Sequence, residues 1–536
     1  MAFELNWDGH ATLSASCPAC GHAGSMDRVV TAIGPALPPD GFPVHACAAC
    51  GSLVCPTLLK GQPAPSAPSP AEMTPSDLAP VEDAAVLGCD ELAVAFYLEQ
   101  GAGLLSMAGQ LGGVEPRRVR RFLDVGCGFG FSLDIARTMF GWEVQGVDPG
   151  PLARTGAATL GLPISHKLLP PVPAAGEEPF DLVFASEVIE HVCDPQELAA
   201  SLRARLAPGG AFLLSTPNAA AVSRHTSLAV LVPALSIGHH VTLFSRAGLE
   251  SLLRRVGFTA FSVVETPATL FAVAGPDAAA LPDPLQPRGH ALYDAYLARR
   301  AGDFAASHPL GLGLRQRILR RATQTGAIVA ALPVGREVAD AVCAGWGIDL
   351  ANPDAILADP PPDATPDAYH DTAPFCLPGL LLWQGILAWR REDDPARAGR
   401  LFEAAALVAD RARAALRRIG ADDGDTARVG WEARVYAAQM LTRRWPEEAE
   451  RRLHAALATD APPEAVMPTD LRVELALRVF AGLAESGHEA MARRLAPLVA
   501  ATLPGDTPRV ARARDLACRW RDEAASRRGT GGGTQP

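Results

Sequence analysis

The stretch Arg121-Phe-Leu-Asp-Val-Gly-Cys-Gly-Phe-Gly130, continuing into Phe131-Ser-Leu-Asp-Ile-Ala-Arg-Thr-Met-Phe-Gly141, decides the fold. An apolar run reaches Asp124, breaks into Gly126, Gly128 and Gly130, and then takes up helical periodicity. A strand, a glycine-rich turn and a helix N-terminus in that order are how a doubly wound sheet receives a nucleotide-like ligand at its carboxyl edge. The spacing is DxGxGxG with the acid inside the strand end, whereas a pyrophosphate-binding dinucleotide fold shows GxGxxG. The next strand-like run, EVQGVDPG, ends in Asp148. That acid lies about 20 residues beyond the glycines, where a carboxylate can accept both hydroxyls of a ribose.

Outward from this point, apolar runs alternate with amphipathic helices from about Glu82 to Pro276, which predicts an α/β domain with a largely parallel sheet. Composition divides the rest. Residues 1–60 are cysteine-rich, 61–80 form a Pro/Ala/Ser linker, 81–280 hold the α/β domain, and 281–350 a helical connector. A Pro/Asp-rich break over 351–375 precedes a helical region over 376–525, and the tail 526–536 reads as disordered. Within the helical region three segments, starting near Leu380, Ala433 and Val473, each read as helix, polar turn, helix, with alanines where helices would touch. They resemble tetratricopeptide-type hairpins at uneven spacing, which implies a protein partner; an irregular bundle without a peptide groove is the alternative.

With 536 residues, the chain is too long for one ordinary core. A net charge of −11 argues against nucleic acid as a partner of the whole surface. No apolar segment reaches the ~20 residues of a spanning helix, and the N-terminus lacks the cationic, apolar pattern of a signal peptide. The expected location is the cytoplasm, where cysteines stay reduced or bind metal.

Cys17-Pro-Ala-Cys20-Gly21 and Cys47-Ala-Ala-Cys50-Gly51 are paired CxxCG knuckles. Four thiolates on two knuckles suit a tetrahedral structural zinc, against free thiols or a redox pair. Cys55 and His45 are nearby and read as packing residues.

The ordered motifs together resemble the class I S-adenosylmethionine-dependent methyltransferases: the DxGxGxG turn, Asp148, FDLVFASEVIEHV as fourth strand and loop, LAPGGAFLLSTPN as turn and fifth strand, and HHVTLFSRAGLESLLRRVGF before the last strands. The resemblance implies a Rossmann-like seven-stranded sheet over roughly Arg121 to Pro276. It places the backbone of Gly126, Gly128 and Gly130 near the cofactor's amino-acid part, Asp124 near its ammonium, Asp148 with Pro149 at the ribose, and Ser186 at the pocket edge. The third-strand region, LPISHKLLPPVP, lacks the acid often found near the adenine, which leaves that base to backbone groups.

Ser186 to Pro195, SEVIEHVCDP, puts two carboxylates and an imidazole directly after the fourth strand. Were Glu187 to start a helix, Glu190 and His191 would share its face. Three readings stand side by side. Glu187, Glu190 and His191 hold magnesium, as the similar motif of ubiquinone-biosynthesis O-methyltransferases implies. Alternatively His191, or Glu187 with it, faces the acceptor and takes its proton. In the third, the acids only favour a helix N-terminus while His191 packs. His240, ahead of Ser245 as helix N-cap, is a second candidate base. The zinc-knuckle layout resembles methyltransferases acting on sugars and glycans, which implies a glycan or small-molecule acceptor; a magnesium-assisted quinone-precursor O-methyltransferase and a noncatalytic scaffold are the alternatives.

Overall fold

The computed structural model describes residues 4–7, 11–34, 37–60, 91–100, 104–226, 228–276, 288–418, 424–458, 469–500 and 515–520. The expected linker 61–80 and tail 526–536 lie outside the described residues. Two compact units divide the chain, Met1–Asp303 and Phe304–Pro536.

The first unit opens with β1 (Glu4–Asn6), β2 (Thr12–Ser16), β3 (Ala23–Ile33), β4 (Phe42–Cys47), β5 (Leu53–Val54) and α1 (Pro56–Lys60). These strands run antiparallel, with β1 and β2 both on β3, then β4 and β5. So small a ribbon cannot enclose a core of its own. Cys17, Ala19, Met26, Cys47 and Val54 instead belong to the core of the neighbouring sheet.

After α2 (Glu91–Gln100) and α3 (Leu104–Gly112) come β6 (Arg121–Val125), α4 (Phe131–Ile135), β7 (Glu143–Val147), α5 (Pro151–Leu160), β8 (Ile164–Ser165) and β9 (Phe180–Ser186). The unit continues with α6 (Pro195–Ala204), β10 (Leu206–Pro217), α7 (Leu228–Leu235), β11 (Thr242–Leu243), α8 (Arg246–Val256), β12 (Ala260–Glu265), β13 (Thr269–Gly275) and α9 (Arg288–Ala301). Seven strands build the main sheet in the order β12-β13-β10-β9-β6-β7-β8. All are parallel except β13, which pairs antiparallel with both neighbours. Because helices cover a parallel sheet, its central strands read as near-continuous apolar runs; Phe122, Leu123, Leu182, Val183, Phe184, Leu213 and Leu214 are buried. Burying each is worth ~1.5–3 kcal/mol. Strand order switches between β6 and β9, so a crevice opens at the carboxyl ends of these two strands.

Two local expectations change. No helix begins at Glu187: residues after β9 form turns, and α6 starts at Pro195 with Asp194 accepting from Glu197 N as its cap. The helix-terminus reading of Glu187 and Glu190 therefore falls. Ser245 does cap α8, its Oγ accepting from Gly248 N.

The second unit is helical: α10 (Pro309–Thr325), α11 (Leu332–Trp346), α12 (Pro353–Ala358), α13 (Pro366–His370), α14 (Leu377–Arg390), α15 (Pro395–Arg417), α16 (Gly424–Leu441), α17 (Pro446–Ala458), α18 (Thr469–Glu485) and α19 (Glu489–Ala500). Helices α14/α15, α16/α17 and α18/α19 are hairpins, and α16 packs on both α14 and α18. Buried Ala404, Ala405, Ala409, Ala433 and Ala438 allow close approach, around Trp383 and Trp431. The Pro/Asp-rich break 351–375 holds α12 and α13, whose prolines sit in the first turn behind caps Asn352 and Thr365. Among the described residues, no helix is long and apolar enough to cross a membrane.

Candidate functional site

The turn after β6 forms one wall of the crevice. Asp124 is buried, and Ser132 of α4 donates to its carboxyl. Burial raises that carboxyl to about 8, against the Ser132 hydrogen bond, so Asp124 fastens α4 to the strand rather than standing free as an anion. Gly126 and Gly128 have φ +73° and +51°, a region costly for other residues. A Cβ on Gly126 would come 2.3 Å from Val188 Cγ2, whereas on Gly128 it would meet nothing within 4 Å. The first glycine is demanded by packing; the second leaves its backbone open to a ligand.

Asp148, at the end of β7, receives Gly128 N on Oδ2 at 2.7 Å and Gly150 N on Oδ1 at 2.6 Å. One carboxylate thus ties both βα turns together, and each oxygen keeps a lone pair for a hydroxyl donor. Open space over Gly128 and a fixed, half-buried carboxylate fit a nucleoside with a vicinal diol. Pro149 follows Asp148 and is likewise half-buried.

The loop after β9 forms the opposite wall. Glu187 has φ +57°, a conformation that costs a non-glycine residue ~1 kcal/mol. Three hydrogen bonds hold it: Glu187 N donates to Ser215 O at 2.9 Å, Ser215 Oγ donates to Glu187 Oε1 at 2.9 Å, and Ser186 Oγ lies 2.6 Å from Ser215 Oγ. Water reaches Glu187, yet protein surrounds its carboxyl on most sides, and this partial burial raises it against the Ser215 hydrogen bond.

Glu190 is fully buried. Its Oε2 accepts from Thr216 Oγ1 at 2.9 Å, while Oε1 has no hydrogen-bond partner. Burial, then the charge of Glu187, push its carboxyl well above the usual carboxylate range. Its carbonyl accepts from Val241 N and Thr242 N, which binds this loop to β11. His191 and His240 meet edge to face, ring centroids 4.7 Å apart. Burial first, and neighbouring imidazoles second, lower His191 to about 4 and His240 to about 3. His240 Nδ1 lies 2.7 Å from Ala234 O; a carbonyl only accepts, so Nδ1 carries the proton and Nε2 is left as a base. One atom each from Glu190, His191 and His240 fall within 4.8 Å of one another. Glu187, expected in that group, is bound to Ser215 instead.

Sequence reading missed Ser215 and Thr216, which position both acids. Their signal was present: a polar pair at the carboxyl end of a buried parallel strand points into the crevice.

The four knuckle cysteines converge, Sγ to Sγ 3.8 Å for Cys17 and Cys50 and 3.7 Å for Cys20 and Cys47, all within 4.8 Å of one another. A tetrahedron with ~2.3 Å metal–sulfur bonds has edges of ~3.8 Å, so the donor set fits zinc. Both knuckles grip α8. Ser245 Oγ lies 2.5 Å from Cys50 O, Ser52 Oγ accepts from Ser245 N at 3.0 Å, and Arg255 Nη1 donates to Ala19 O at 3.1 Å. Strand β11 then pairs with β5, extending the ribbon sheet with Thr242 and Leu243, which begin two residues after His240. His45 and Cys55 are buried among these strands.

A methyltransferase-domain family model matches residues 98–263. This segment is a class I S-adenosylmethionine-dependent methyltransferase domain. Relatives of the methyltransferase domain include a ubiquinone biosynthesis O-methyltransferase of Methylobacterium sp. (strain 4-46), 39% identical over 113 residues, covering 20% of this chain and 44% of that protein. Another ubiquinone biosynthesis O-methyltransferase, from Caulobacter sp. (strain K31), is 35% identical over 131 residues, covering 23% of this chain and 51% of that protein. The chain spans about half the length of these curated relatives. Among solved structures, an O-methyltransferase family protein from Burkholderia thailandensis is 16% identical with a TM-score of 0.28, over 34% of this chain and 57% of that one.

Proposed function

We propose that the chain transfers a methyl group from S-adenosylmethionine to a hydroxyl or carbon of a sugar, glycan or related small metabolite. The observation that carries this reading is the His191–His240 pair, with Nε2 of His240 unprotonated and His191 on the loop whose Val188 packs against Gly126. The cofactor supplies an electrophilic methyl on a sulfonium, which needs alignment more than acid catalysis. Asp148 would accept the ribose hydroxyls, and the open backbone at Gly128 would lie along the amino-acid part. His240 Nε2 would take the acceptor's proton as its oxygen or carbon bonds to the methyl. His191, Glu187 and Ser186 would line the acceptor side. Cys17, Cys20, Cys47 and Cys50 would hold a structural zinc that keeps α8 in place. Calorimetry with S-adenosylmethionine tests the core of the reading. Wild type should bind, and Asp148→Ala should weaken binding about 10-fold or more, the loss of charge-assisted hydrogen bonds; no binding to wild type would overturn it.

A second reading is a magnesium-assisted O-methyltransferase acting on a quinone precursor. The close approach of Glu190, His191 and His240 and the similarity to ubiquinone biosynthesis O-methyltransferases favour it. Two imidazoles and one carboxyl are a softer set than magnesium prefers, and burial of Glu190 disfavours the carboxylate form that would ligate the ion. Activity that survives EDTA without added magnesium excludes this reading.

A further inference from the structure

The segment that carries His240 is held by the ribbon. Its next residue, Val241, uses both backbone groups on distant parts of the chain. Val241 N donates to Glu190 O at 2.8 Å, in the loop after β9, and Val241 O accepts from Cys55 N at 2.9 Å, at the end of β5. Thr242 and Leu243 then pair with Val54 and Leu53. Upstream of His240 the support is apolar. Leu231 and Leu235 of α7 share a core with Val30, Val44 and Leu53 of the ribbon and with Leu243. In the turn between α7 and His240, a Cβ at Gly238 would lie 3.9 Å from Phe42 Cζ of β4.

The second knuckle sets where β5 runs. Cys47 N donates to Ser52 O at 2.9 Å, and Cys55 lies five residues beyond Cys50. A ribbon too small to enclose a core of its own takes its fold from its metal. The cofactor side of the crevice has separate supports. Asp148 accepts from Gly128 N and Gly150 N, and Asp124 accepts from Ser132 Oγ. None of these groups belongs to residues 1–60 or 228–243. Ribbon packing does reach the sheet core through Cys17, Met26 and Val54, but the bonds that shape the glycine turn are local.

We propose that metal in the knuckles sets the position of His240 by way of Cys55 and Val241, so that the acceptor side of the crevice forms only in the metal-loaded chain while the cofactor side forms with or without it. Cys55 and Val241 are positioning residues, acting through His240. The inference rests on the reading of His240 as the acceptor-side base. Its test needs no acceptor: hydrogen exchange read by mass spectrometry on the zinc-loaded full chain and on the metal-free Cys20→Ser protein.

Exchange in residues 236–243 should be about 10-fold faster or more in Cys20→Ser, the opening of a segment that has lost its frame. Residues 121–150 should exchange as in wild type, and calorimetric affinity for S-adenosylhomocysteine should be unchanged. Diethyl pyrocarbonate should modify the His240 ring about 10-fold faster in the variant, while exposed His225 reacts at one rate in both proteins. Should Cys20→Ser fail to fold by circular dichroism, Leu243→Ala keeps all four thiolates but loosens β11 in the core it shares with Leu53. That variant should speed exchange in 236–243 about 3-fold at unchanged zinc content. Equal protection of 236–243 in wild type and the variants overturns the proposal. So does loss of protection over 121–150 together with loss of S-adenosylhomocysteine binding, because the ribbon would then hold the whole sheet. A zinc-loaded wild type that binds no S-adenosylhomocysteine defeats the methyl-transfer reading instead, and the exchange comparison still decides the coupling.

Discussion

Replacing Gly126 with alanine adds one methyl group and should damage the domain in two separable ways. The first is conformational. At φ +73° an alanine costs ~1 kcal/mol relative to glycine. The second is steric, because the new Cβ would stand 2.3 Å from Val188 Cγ2 where carbon pairs rest at ~3.5–4.0 Å. Overpacking of that kind costs ~1–3 kcal/mol, for a total of ~2–4 kcal/mol. In a cooperative unit of this size each kcal/mol moves Tm by ~2–4 °C, so the expected drop is about 5–15 °C. The two parts come apart in a double-mutant cycle. Val188→Ala alone removes a half-buried side chain and should cost ~1 kcal/mol. In the Gly126→Ala/Val188→Ala protein only the φ strain is added to that loss, so it should be ~1–3 kcal/mol more stable than the sum of the singles predicts. Thermal denaturation of the four proteins gives the coupling, and S-adenosylhomocysteine calorimetry should show binding weakened by Gly126→Ala and partly restored in the double variant. Additivity within ~0.5 kcal/mol would refute the reasoning, because the glycine would then not be required by the approach of the SEVIEH loop.

Ser245→Ala removes the α8 cap and the bond to the Cys50 carbonyl; a loss of ~1–2 kcal/mol is expected in chemical denaturation, and Ser245→Thr should recover part of it. For the imidazole pair the sign runs toward acid lability. His191 and His240, lowered to about 4 and 3, stay neutral when folded, so the unfolded chain takes up protons first below pH ~6.5. Their stabilisation is fully present above that pH and lost progressively down to about 4 and 3; a pH series of Tm should show a steeper acid decline in wild type than in His191→Gln/His240→Gln. Glu187→Gly should be ~1 kcal/mol more stable than Glu187→Ala, because both lose the Ser215 bond but only glycine accepts φ +57° without strain. Metal analysis of the purified chain should give one zinc per molecule, lost in Cys20→Ser; a metal content unchanged by that substitution refutes the Cys17/Cys20/Cys47/Cys50 assignment.

Much of this was legible because it depends on local pattern. Arg121–Gly130 dictates a buried strand and a left-handed turn whatever surrounds it, and Asp148 follows at the spacing one βα unit imposes. The paired knuckles likewise announce four converging thiolates. What the pattern did not disclose is long-range. Nothing near Glu190 in sequence tells that Thr216 holds it or that β11 hangs from its carbonyl. The SEVIEH turn resembled a helix start because a loop strained at Glu187 is stable only with Ser215 beneath it, on a different strand. For the same reason His240 joined the cluster in place of Glu187: its ring is set by Ala234 O and its neighbours by a sheet that residues 1–60 complete.

That shared sheet has a consequence for the order in which the molecule is made. Residues 1–60 leave the ribosome well before β11 and α8, so β5 has no β11 beside it, and the knuckles have no α8 to clasp, until the chain has grown past Val256. Closing so long a loop is slow. Metal captured early by Cys17, Cys20, Cys47 and Cys50 would keep Ser52 and the Cys50 carbonyl in place through that delay, as a template on which the last part of the transferase sheet finishes folding.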